Sequence, residues 1–442
     1  EKDIAENADR LSKGIETVNQ GLAIGLFLIA KRSLADTILL QGRLVEAEML
    51  YREILDTGAR AYGVASPMTL IYIEGLCRVL LEQGRIADAR DLTRAALDVM
   101  IKQGMAPESR NVISNRQRLA SAHVAARQWP EAMTQYAAIQ AALAQDSDLN
   151  SRLGQGDKDW ALTLLRTGKI GDAEQMMNRL LAEEQRRFGD DEQLLAESRG
   201  LLAMALAAGG NTADALTLFR KAVPALLSAQ KDAAEEEAAT TTRRLVTILE
   251  AYLDLLYRLH ASGQTVAGID IPAETFRIAD VARGSAVQKA LLASAARSAT
   301  RDPRLAQLVR DEQDMSHRIN TLQETLSRLA SVPAAQRLDK IIADIRRDIP
   351  QLKNERKALR ERINKDFPEY TNLISPQPLV PDEVRRLLQP GEALLATYVG
   401  ENASFVWGIA KTGPVAFAAS KLDLAAVNNR VAKIRKGLDL GN

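Results

Sequence analysis

The chain is poor in the residue types that most catalytic and metal sites use. Its 442 residues include one cysteine and three histidines. A single cysteine cannot form an internal disulfide, so the sequence does not indicate an oxidising compartment. His260 and His317 have no second ligand residue at the spacing that a metal site needs. We therefore expect no metal and no cofactor.

Long apolar runs and an excess of one charge are also missing. The apolar run at residues 21–30 is ten residues long, about half of what a membrane span requires. We predict that it belongs to a buried helix, and we expect no membrane partner. The formal net charge is +1, which gives no reason to expect a nucleic-acid partner.

Aromatic residues make up only 4% of the chain, and the abundance of Ala, Leu, Arg and Glu favours packed helices over sheets. The chain begins at Glu1 rather than Met, so we expect residues upstream of it. We predict a cytoplasmic location, and export after loss of a signal peptide stays open as the alternative.

One alanine recurs at nearly constant spacing through the first half of the chain, and several neighbours recur with it. The intervals between successive copies are 42, 43, 41 and 42 residues. The marker alanines are Ala47, Ala89, Ala132, Ala173 and Ala215. Five positions before them stand Gly42, Gly84, Arg127, Gly168 and Gly210. A period of this length indicates a solenoid of repeated units.

The residues around each marker alanine describe a pair of packed helices. Thirteen and twelve positions before it, a large apolar residue precedes a small one, as in Leu76–Cys77 and Trp160–Ala161. Such a pair lets a first helix nest closely against a second. The glycine suits the turn because it adopts a positive φ at little cost. An acidic residue directly before the marker lies in the first turn of the second helix, where the helix dipole favours it.

This pattern resembles the tetratricopeptide repeat, in the long variety of kinesin light chain. The resemblance covers roughly residues 28–230. It implies five antiparallel helix pairs of about 42 residues each, stacked as a right-handed superhelix with a concave inner face. The third repeat departs from the pattern because Arg127 occupies the glycine position, which puts the geometry of its turn in question.

The chain after the repeats divides into further regions. We predict a tetratricopeptide solenoid over 1–230, a helical connector over 231–300 and a coiled helical hairpin over 301–367. In the hairpin, apolar residues recur at heptad spacing on both sides of a break at residues 331–333, and Glu312 and Arg356 are the polar exceptions. We expect Pro350 to kink or interrupt the second arm.

The last region, 368–442, is predicted to form a short helix followed by strands. The predicted strands are 393–399, 405–410 and 415–419, with turns between them, and an amphipathic helix over 424–438 comes after. Three strands and one helix are a thin basis for an independent domain.

This region resembles the opening of the CHAT domain, a caspase-like cysteine protease domain associated with tetratricopeptide repeats. The segments that carry the resemblance are 279–284, 367–370, 388–395, 398–400 and 405–407. The fold class that follows is mainly α: a repeat superhelix, a connector and an antiparallel coiled hairpin, then the first strands of an incomplete α/β caspase-like domain.

The catalytic residues of that family have no counterpart in this sequence. The resemblance implies a histidine after one strand and a cysteine after a later one, but no histidine or cysteine follows His317. Cys77 occupies the small buried position of a repeat, and His123 falls on the core stripe. We assign no catalytic residue, and we expect this chain to hydrolyse no peptide bond even if a longer parent protein is a cysteine peptidase.

The concave face of the repeats is the predicted site for a protein or peptide partner. First helices normally line that face, and their outward positions lie about fifteen and eleven residues before the marker alanine. The candidate partner-binding residues are Arg32, Asp36, Glu74, Arg78, Gln117, Ser121 and Asp159. An ordinary solvated surface is the competing interpretation of each residue.

Two functions are therefore predicted. The first is a partner-binding regulatory arm of a cysteine protease with tetratricopeptide repeats and a CHAT domain. The alternative is a non-catalytic adaptor or scaffold that carries a degenerate CHAT remnant.

Overall fold

The computed structural model describes residues 20–438, except for 41, 148–149, 151–153, 155, 189–191, 233–238, 284–301, 331–337, 369 and 371–378. The chain forms two compact units, each assembled from several segments. The first consists of Glu1–Gly189, Ala229–Arg243 and Met315–Asn354. The second consists of Asp190–Ser228, Arg244–Asp314 and Glu355–Asn442.

Helix pairs follow one another through the first half of the chain, as the recurring alanine predicts. In the first unit, the pairs are α1 (Gln20–Leu40) with α2 (Leu44–Tyr62), α3 (Pro67–Leu70) and α4 (Ile73–Glu82) with α5 (Ile86–Lys102), α6 (Arg110–Ala125) with α7 (Trp129–Leu143), and α8 (Lys158–Arg166) with α9 (Ile170–Phe188). A fifth pair, α10 (Glu192–Ala208) and α11 (Thr212–Asp232), begins the second unit. The predicted class of helical repeat fold is confirmed.

The five pairs share one turn between their two helices. The residue five positions before the marker alanine has a positive φ of 75° at Gly42, 75° at Gly84, 59° at Arg127, 82° at Gly168 and 87° at Gly210. The next backbone N–H donates to a carbonyl five residues earlier, for example from Arg85 to Leu80. This is the Schellman arrangement, which satisfies carbonyl groups at the end of the first helix.

Arg127 keeps the turn that glycine forms in the other repeats. A positive φ is costly for a residue with a side chain. The neighbouring residues hold it in place, because the Gln128 N–H donates to the His123 carbonyl at 2.9 Å. The side chains of these two neighbours also meet, with 2.8 Å between His123 Nδ1 and Gln128 Oε1. The departure in the third repeat therefore leaves its turn unchanged.

The marker alanines are buried in all five repeats. Each of them is at most 1% exposed. The residue four positions later on the same helix is also buried in every repeat: Tyr51, Thr93, Tyr136, Met177 and Phe219. Because residues four apart lie on the same helix face, the two positions form a continuous buried stripe.

The first helix differs from the expectation of full burial. Leu34 is 51% exposed, and Leu26 and Ile29 in the apolar run are more exposed still, whereas Leu28 is buried. The reason is visible in the third repeat, where Leu119 packs with Leu97 and Met100 of the preceding helix pair. Among the described residues, no earlier helix pair is available to pack on the corresponding face of α1.

After the repeats come α12 (Ala239–Ala261) and α13 (Ile271–Arg283), then two long helices, α14 (Pro303–Ala330) and α15 (Asp339–Asp366). Within the predicted connector, residues 233–238 and 284–300 lie outside the described residues, and so does the predicted break of the hairpin at 331–333.

The two long helices form the predicted antiparallel hairpin. Leu305 and Val309 of α14 share an apolar cluster with Ile363 of α15. The two polar exceptions in the heptads face each other, because Arg356 Nε donates to Glu312 Oε1 at 2.8 Å. In the first unit, the hairpin also packs on a repeat helix, since Ile342, Ile345 and Ile349 cluster with Met49 of α2.

Pro350 was expected to kink or interrupt the second arm, and it does not interrupt it. Helix α15 runs from Asp339 to Asp366 with Pro350 inside it. Pro350 has no N–H to donate to the backbone carbonyl one turn earlier. Because Pro350 is exposed, water can donate to that carbonyl instead.

The C-terminal strands form one antiparallel sheet, preceded by α16 (Pro381–Leu387) and followed by α17 (Leu424–Leu438). The strands are β1 (Ala393–Val399), β2 (Ser404–Ala410) and β3 (Ala416–Ser420), in the order β1-β2-β3. Ala396 lies opposite Trp407, which in turn lies opposite Phe417. The three strands agree with the sequence prediction to within one residue.

The sheet packs on α12 and α13 within the second unit. The Trp407 side chain is fully buried, and its indole N–H donates to Thr275 Oγ1 at 3.1 Å. The ring of Phe417 stacks on Trp407 at 5.3 Å and meets Tyr257 edge-on at 5.5 Å. These connector helices supply the apolar surface that three strands need for stability.

Candidate functional site

The first helices of the repeats carry a row of paired charges. Arg32 and Asp36 lie on α1, Glu74 and Arg78 on α4, and Arg118 on α6; we call these five residues the charge ladder. Arg78 Nη1 lies 3.1 Å from Asp36 Oδ1, and Arg118 Nη2 lies 3.2 Å from Glu74 Oε1. Arg32 Nη2 lies 3.7 Å from the other oxygen of Glu74. Each of these pairs joins one repeat to the next.

The charge ladder is held in place but remains open to solvent. Its side chains are between 24% and 37% exposed. Ion pairs at this level of exposure add little to stability, because water screens them. Their main effect is on geometry, since each guanidinium and carboxylate is positioned by a neighbour before any partner arrives.

Tyr51 reaches the charge ladder from the second helix of the first repeat. Its hydroxyl donates to Asp36 Oδ1 at 2.6 Å. Burial and the adjacent negative charge of Asp36 raise the pKa of Tyr51 above its ordinary value. The ring passes close to Gly75, where an added Cβ would lie 1.9 Å from a ring carbon. Gly75 is therefore required by the close approach of this ring to helix α4.

A second polar cluster lies at the start of α8, and here too a tyrosine hydroxyl approaches an aspartate. Asp157 Oδ1 accepts the backbone N–H of Trp160 at 2.7 Å, and Gln117 donates to its other oxygen. The Tyr136 hydroxyl lies 3.4 Å from Asp157, and the Tyr136 ring stacks on Trp160 at 4.9 Å.

The carboxylate of Asp157 is electrostatically unfavourable. Loss of solvent raises its pKa, and the negative charge of Asp159 raises it further. The hydrogen bonds from Gln117 and the Trp160 N–H, and the charge of Arg118, act in the opposite direction but do not cancel the shift. Burial and the charge of Asp157 likewise raise the pKa of Tyr136.

The seven sequence-predicted residues fall into three groups. Arg32, Asp36, Glu74 and Arg78 come together in the charge ladder. Gln117 and Asp159 belong to the cluster around Asp157. Ser121 is only 7% exposed and hydrogen-bonds to Tyr136. It is therefore a buried neighbour of the Asp157 cluster and not an outward-facing residue.

Sequence reasoning did not find Tyr51, Tyr136, Arg118 or Asp157. A signal existed for the two tyrosines, because each stands four positions after a marker alanine. The Tyr51 hydroxyl contacts Asp36 on α1, and the Tyr136 hydroxyl contacts Asp157 at the start of α8. Arg118 follows Gln117 directly, and nothing in the repeat pattern distinguishes it.

The chemistry-bearing residues elsewhere are built into the core. Cys77 is buried, and burial raises the pKa of its thiol to about 12. His123 is buried with Gln128 as its partner. Among the described residues, no group of three His, Cys, Asp or Glu could hold a metal ion, and no helix is both long and apolar enough to cross a bilayer.

The comparison with protein families supports the repeat assignment. The tetratricopeptide-repeat family matches residues 26–102, which hold most of α1 and all of α2 to α5. No curated protein matches the chain. Tetratricopeptide repeats are thus shown for the segment that contains Arg32, Asp36, Glu74 and Arg78.

Several solved repeat structures are similar to part of the chain. The nearly identical TPR-like repeats of a proposed kinesin light chain from Podosopora anserina are 22% identical, with a TM-score of 0.34, over 47% of this chain and 98% of that one. A variant of those repeats, with methionine in place of one glutamine, is 21% identical with a TM-score of 0.35 over the same shares. BtubC (BKLC) from P. vanneervenii is 19% identical, with a TM-score of 0.38, over 52% of this chain and 89% of that one.

Proposed function

We propose that this chain is a protein-interaction scaffold that binds a segment of another protein on the first-helix surface of its repeats. The charge ladder is the observation that carries the proposal. It places three guanidinium groups and two carboxylates in one row across α1, α4 and α6, each held by ion pairs.

The physical advantage of such a row is that it is already ordered. A long charged side chain loses rotamer entropy when a partner fixes it, and this cost weakens binding. Neighbouring charges have already restricted the side chains of the ladder. The mixed signs fit a segment that itself carries both acidic and basic residues, and its binding should weaken as salt increases.

Peptide selection against the full chain tests this proposal. Selected peptides should bind the unmodified chain and lose at least about tenfold in affinity to Arg32→Ala/Arg78→Ala, as expected when charge contacts are removed from an interface. Arg94→Ala is the control, because Arg94 is exposed on the second helix α5. If the selected peptides bound Arg32→Ala/Arg78→Ala as tightly as the unmodified chain, the charge ladder would not be part of the binding site.

Regulation of a protease is a second candidate function. It is favoured because β1 and β2 overlap the segments at 388–395, 398–400 and 405–407 that resemble the opening of a CHAT domain, and because the sheet packs on the connector helices through Trp407 and Thr275. A partner on the repeats would then bias a longer protein toward an active arrangement. In a longer form that cleaves peptides, equal cleavage rates with and without a repeat-binding peptide would dismiss this function.

This chain by itself should cleave no peptide. A thiol protease needs a thiolate and a base within hydrogen-bond reach, and the one cysteine, Cys77, is buried with its pKa raised to about 12. Incubation with a peptide library tests this. Cleavage that disappears in Cys77→Ser would contradict it.

A further inference from the structure

Among the described residues, the last helix of the second unit, α17, is attached at its beginning. Ala426 N–H donates to Asp423 Oδ1 at 2.6 Å, and Leu424 N–H donates to the Gly400 carbonyl at 3.0 Å. Every residue from 428 to 436 is exposed. In the described part of the chain, nothing covers any face of α17 beyond its first turn.

This exposed helix carries a narrow apolar stripe. Leu424, Val427, Val431 and Ile434 follow one another at intervals of three, four and three residues. Val431 is 42% and Ile434 is 62% exposed. Alternating steps of three and four residues are the spacing of the a and d positions of a heptad. Such a seam is narrower than the apolar face that packs on a globular core, and it fits a single facing helix.

The charges of α17 are all positive, and two of them border the stripe. With Leu424 at position a, Arg430 occupies position g and Arg435 occupies position e, which flank the seam. Lys433 and Lys436 fall at positions c and f on the opposite side. The sequence from 424 to 438 contains no acidic residue.

The same charges argue against a second copy of this helix as the partner. In a parallel pair, position g of one helix meets the following e of the other, so Arg430 would face Arg435. In an antiparallel pair, g faces g and e faces e, so arginine would again face arginine. Like charges at these positions weaken pairing, whereas opposite charges select a partner.

We propose that α17 docks on an amphipathic helix of a partner protein whose apolar seam is bordered by Glu or Asp. Val431 and Ile434 would be buried against that seam. Arg430 and Arg435 would pair with the bordering carboxylates, while Lys433 and Lys436 would stay in solvent.

Two synthetic helices test the proposal on the full chain. Both carry Leu at a and d, and they differ only in having Glu or Lys at e and g. By fluorescence anisotropy, the Glu helix should bind at least about tenfold more tightly than the Lys helix. Arg430→Glu/Arg435→Glu should reverse this preference, and Lys433→Glu/Lys436→Glu, with the same change in net charge, should keep it.

Val431→Asp/Ile434→Asp should abolish binding of the Glu helix without lowering the melting temperature, because both residues are exposed. Equal binding of the two probes, or an equal effect of the two charge variants, would overturn the proposal. Binding to phosphatidylserine vesicles that both charge variants weaken alike would assign α17 to an anionic membrane surface instead. A dimer in sedimentation that Val431→Asp/Ile434→Asp dissociates would assign it to a second copy.

Discussion

The ring of Tyr51 fits against helix α4 only because residue 75 lacks a side chain. Its hydroxyl then reaches Asp36 and fixes one carboxylate of the charge ladder. A core residue on a second helix thus positions a surface residue on a first helix. A similar contact joins the third and fourth repeats, where the Tyr136 hydroxyl lies 3.4 Å from Asp157 Oδ1 at the start of α8.

Gly75→Ala should therefore destabilise the first unit. The added Cβ would lie 1.9 Å from the Tyr51 ring, and the repacking that this forces costs about 1–3 kcal/mol. Urea unfolding followed by circular dichroism measures the loss. Gly171→Ala is the control, because a Cβ there meets nothing within 4 Å. Equal unfolding midpoints for the two variants would show that the ring does not depend on Gly75.

Asp157→Asn should raise stability at neutral pH. Because the pKa of Asp157 is raised in the folded chain, the folded state binds a proton more readily than the unfolded state. Protonation of Asp157 therefore contributes to the stability of the folded state. This contribution is fully present below the pKa of Asp157 in the unfolded chain, about 3.9, and is lost as pH rises through its pKa in the folded chain. Asparagine keeps the acceptor for the Trp160 N–H and carries no charge.

The measurement compares urea midpoints at neutral pH and at about pH 4. The advantage of Asp157→Asn over the unmodified chain should be larger at neutral pH and should shrink at the lower pH. Asp98→Asn, a change at an exposed carboxylate, should show no such trend. An advantage that is the same at both pH values would contradict the assignment.

At the scale of elements, the two polar residues that interrupt the heptad pattern of the hairpin form an ion pair with each other. Glu312 and Arg356 each interrupt a heptad stripe, and each is the partner of the other across the two arms. Their side chains are less than one-fifth exposed, so removal of either residue takes an ion-pair contact from the other in a partly dry site.

A double-mutant cycle tests this pairing. Glu312→Leu and Arg356→Leu should each lower the free energy of unfolding by about 1–3 kcal/mol. The double variant should be more stable than either single variant, because an apolar pair can replace an ion pair of similar volume. Losses that simply add would show that the two residues do not interact.

Much of the element order could be predicted from the sequence. The turns followed from the recurring glycine position, and even Arg127 obeyed it, because the backbone bonds around it are those of the other repeats. The packing of Met49 on the hairpin could not be predicted, nor could that of Trp407 on Thr275. Both contacts join residues far apart in the chain, and no local periodicity encodes such pairs.

The candidate site was predictable only in part for a similar reason. Helical spacing placed Arg32, Asp36, Glu74 and Arg78 on first helices. Spacing does not indicate whether such residues pair with each other, and here they form ion pairs between successive repeats. It also treated Ser121 as outward, whereas the structure buries it beside Tyr136.

At the scale of the whole molecule, the two proposed interaction surfaces belong to different units. The first unit offers the charge ladder, which is ordered and of mixed sign. The second unit offers α17, which is exposed and positively charged. Because the residues involved are separate, variants in one surface should leave binding at the other unchanged.

Site-specific photo-crosslinking tests the central claim, that the first helices bind another protein. A photoreactive phenylalanine analogue replaces Ile29, which is exposed on α1 three residues before Arg32, or, as the control, Arg94 on α5, and the full chain is irradiated in an extract of the cells that produce it. Position 29 should give a dominant adduct that a ladder-binding peptide competes away, and position 94 should give none. Equal adducts at the two positions, or adducts at position 94 alone, would contradict the account.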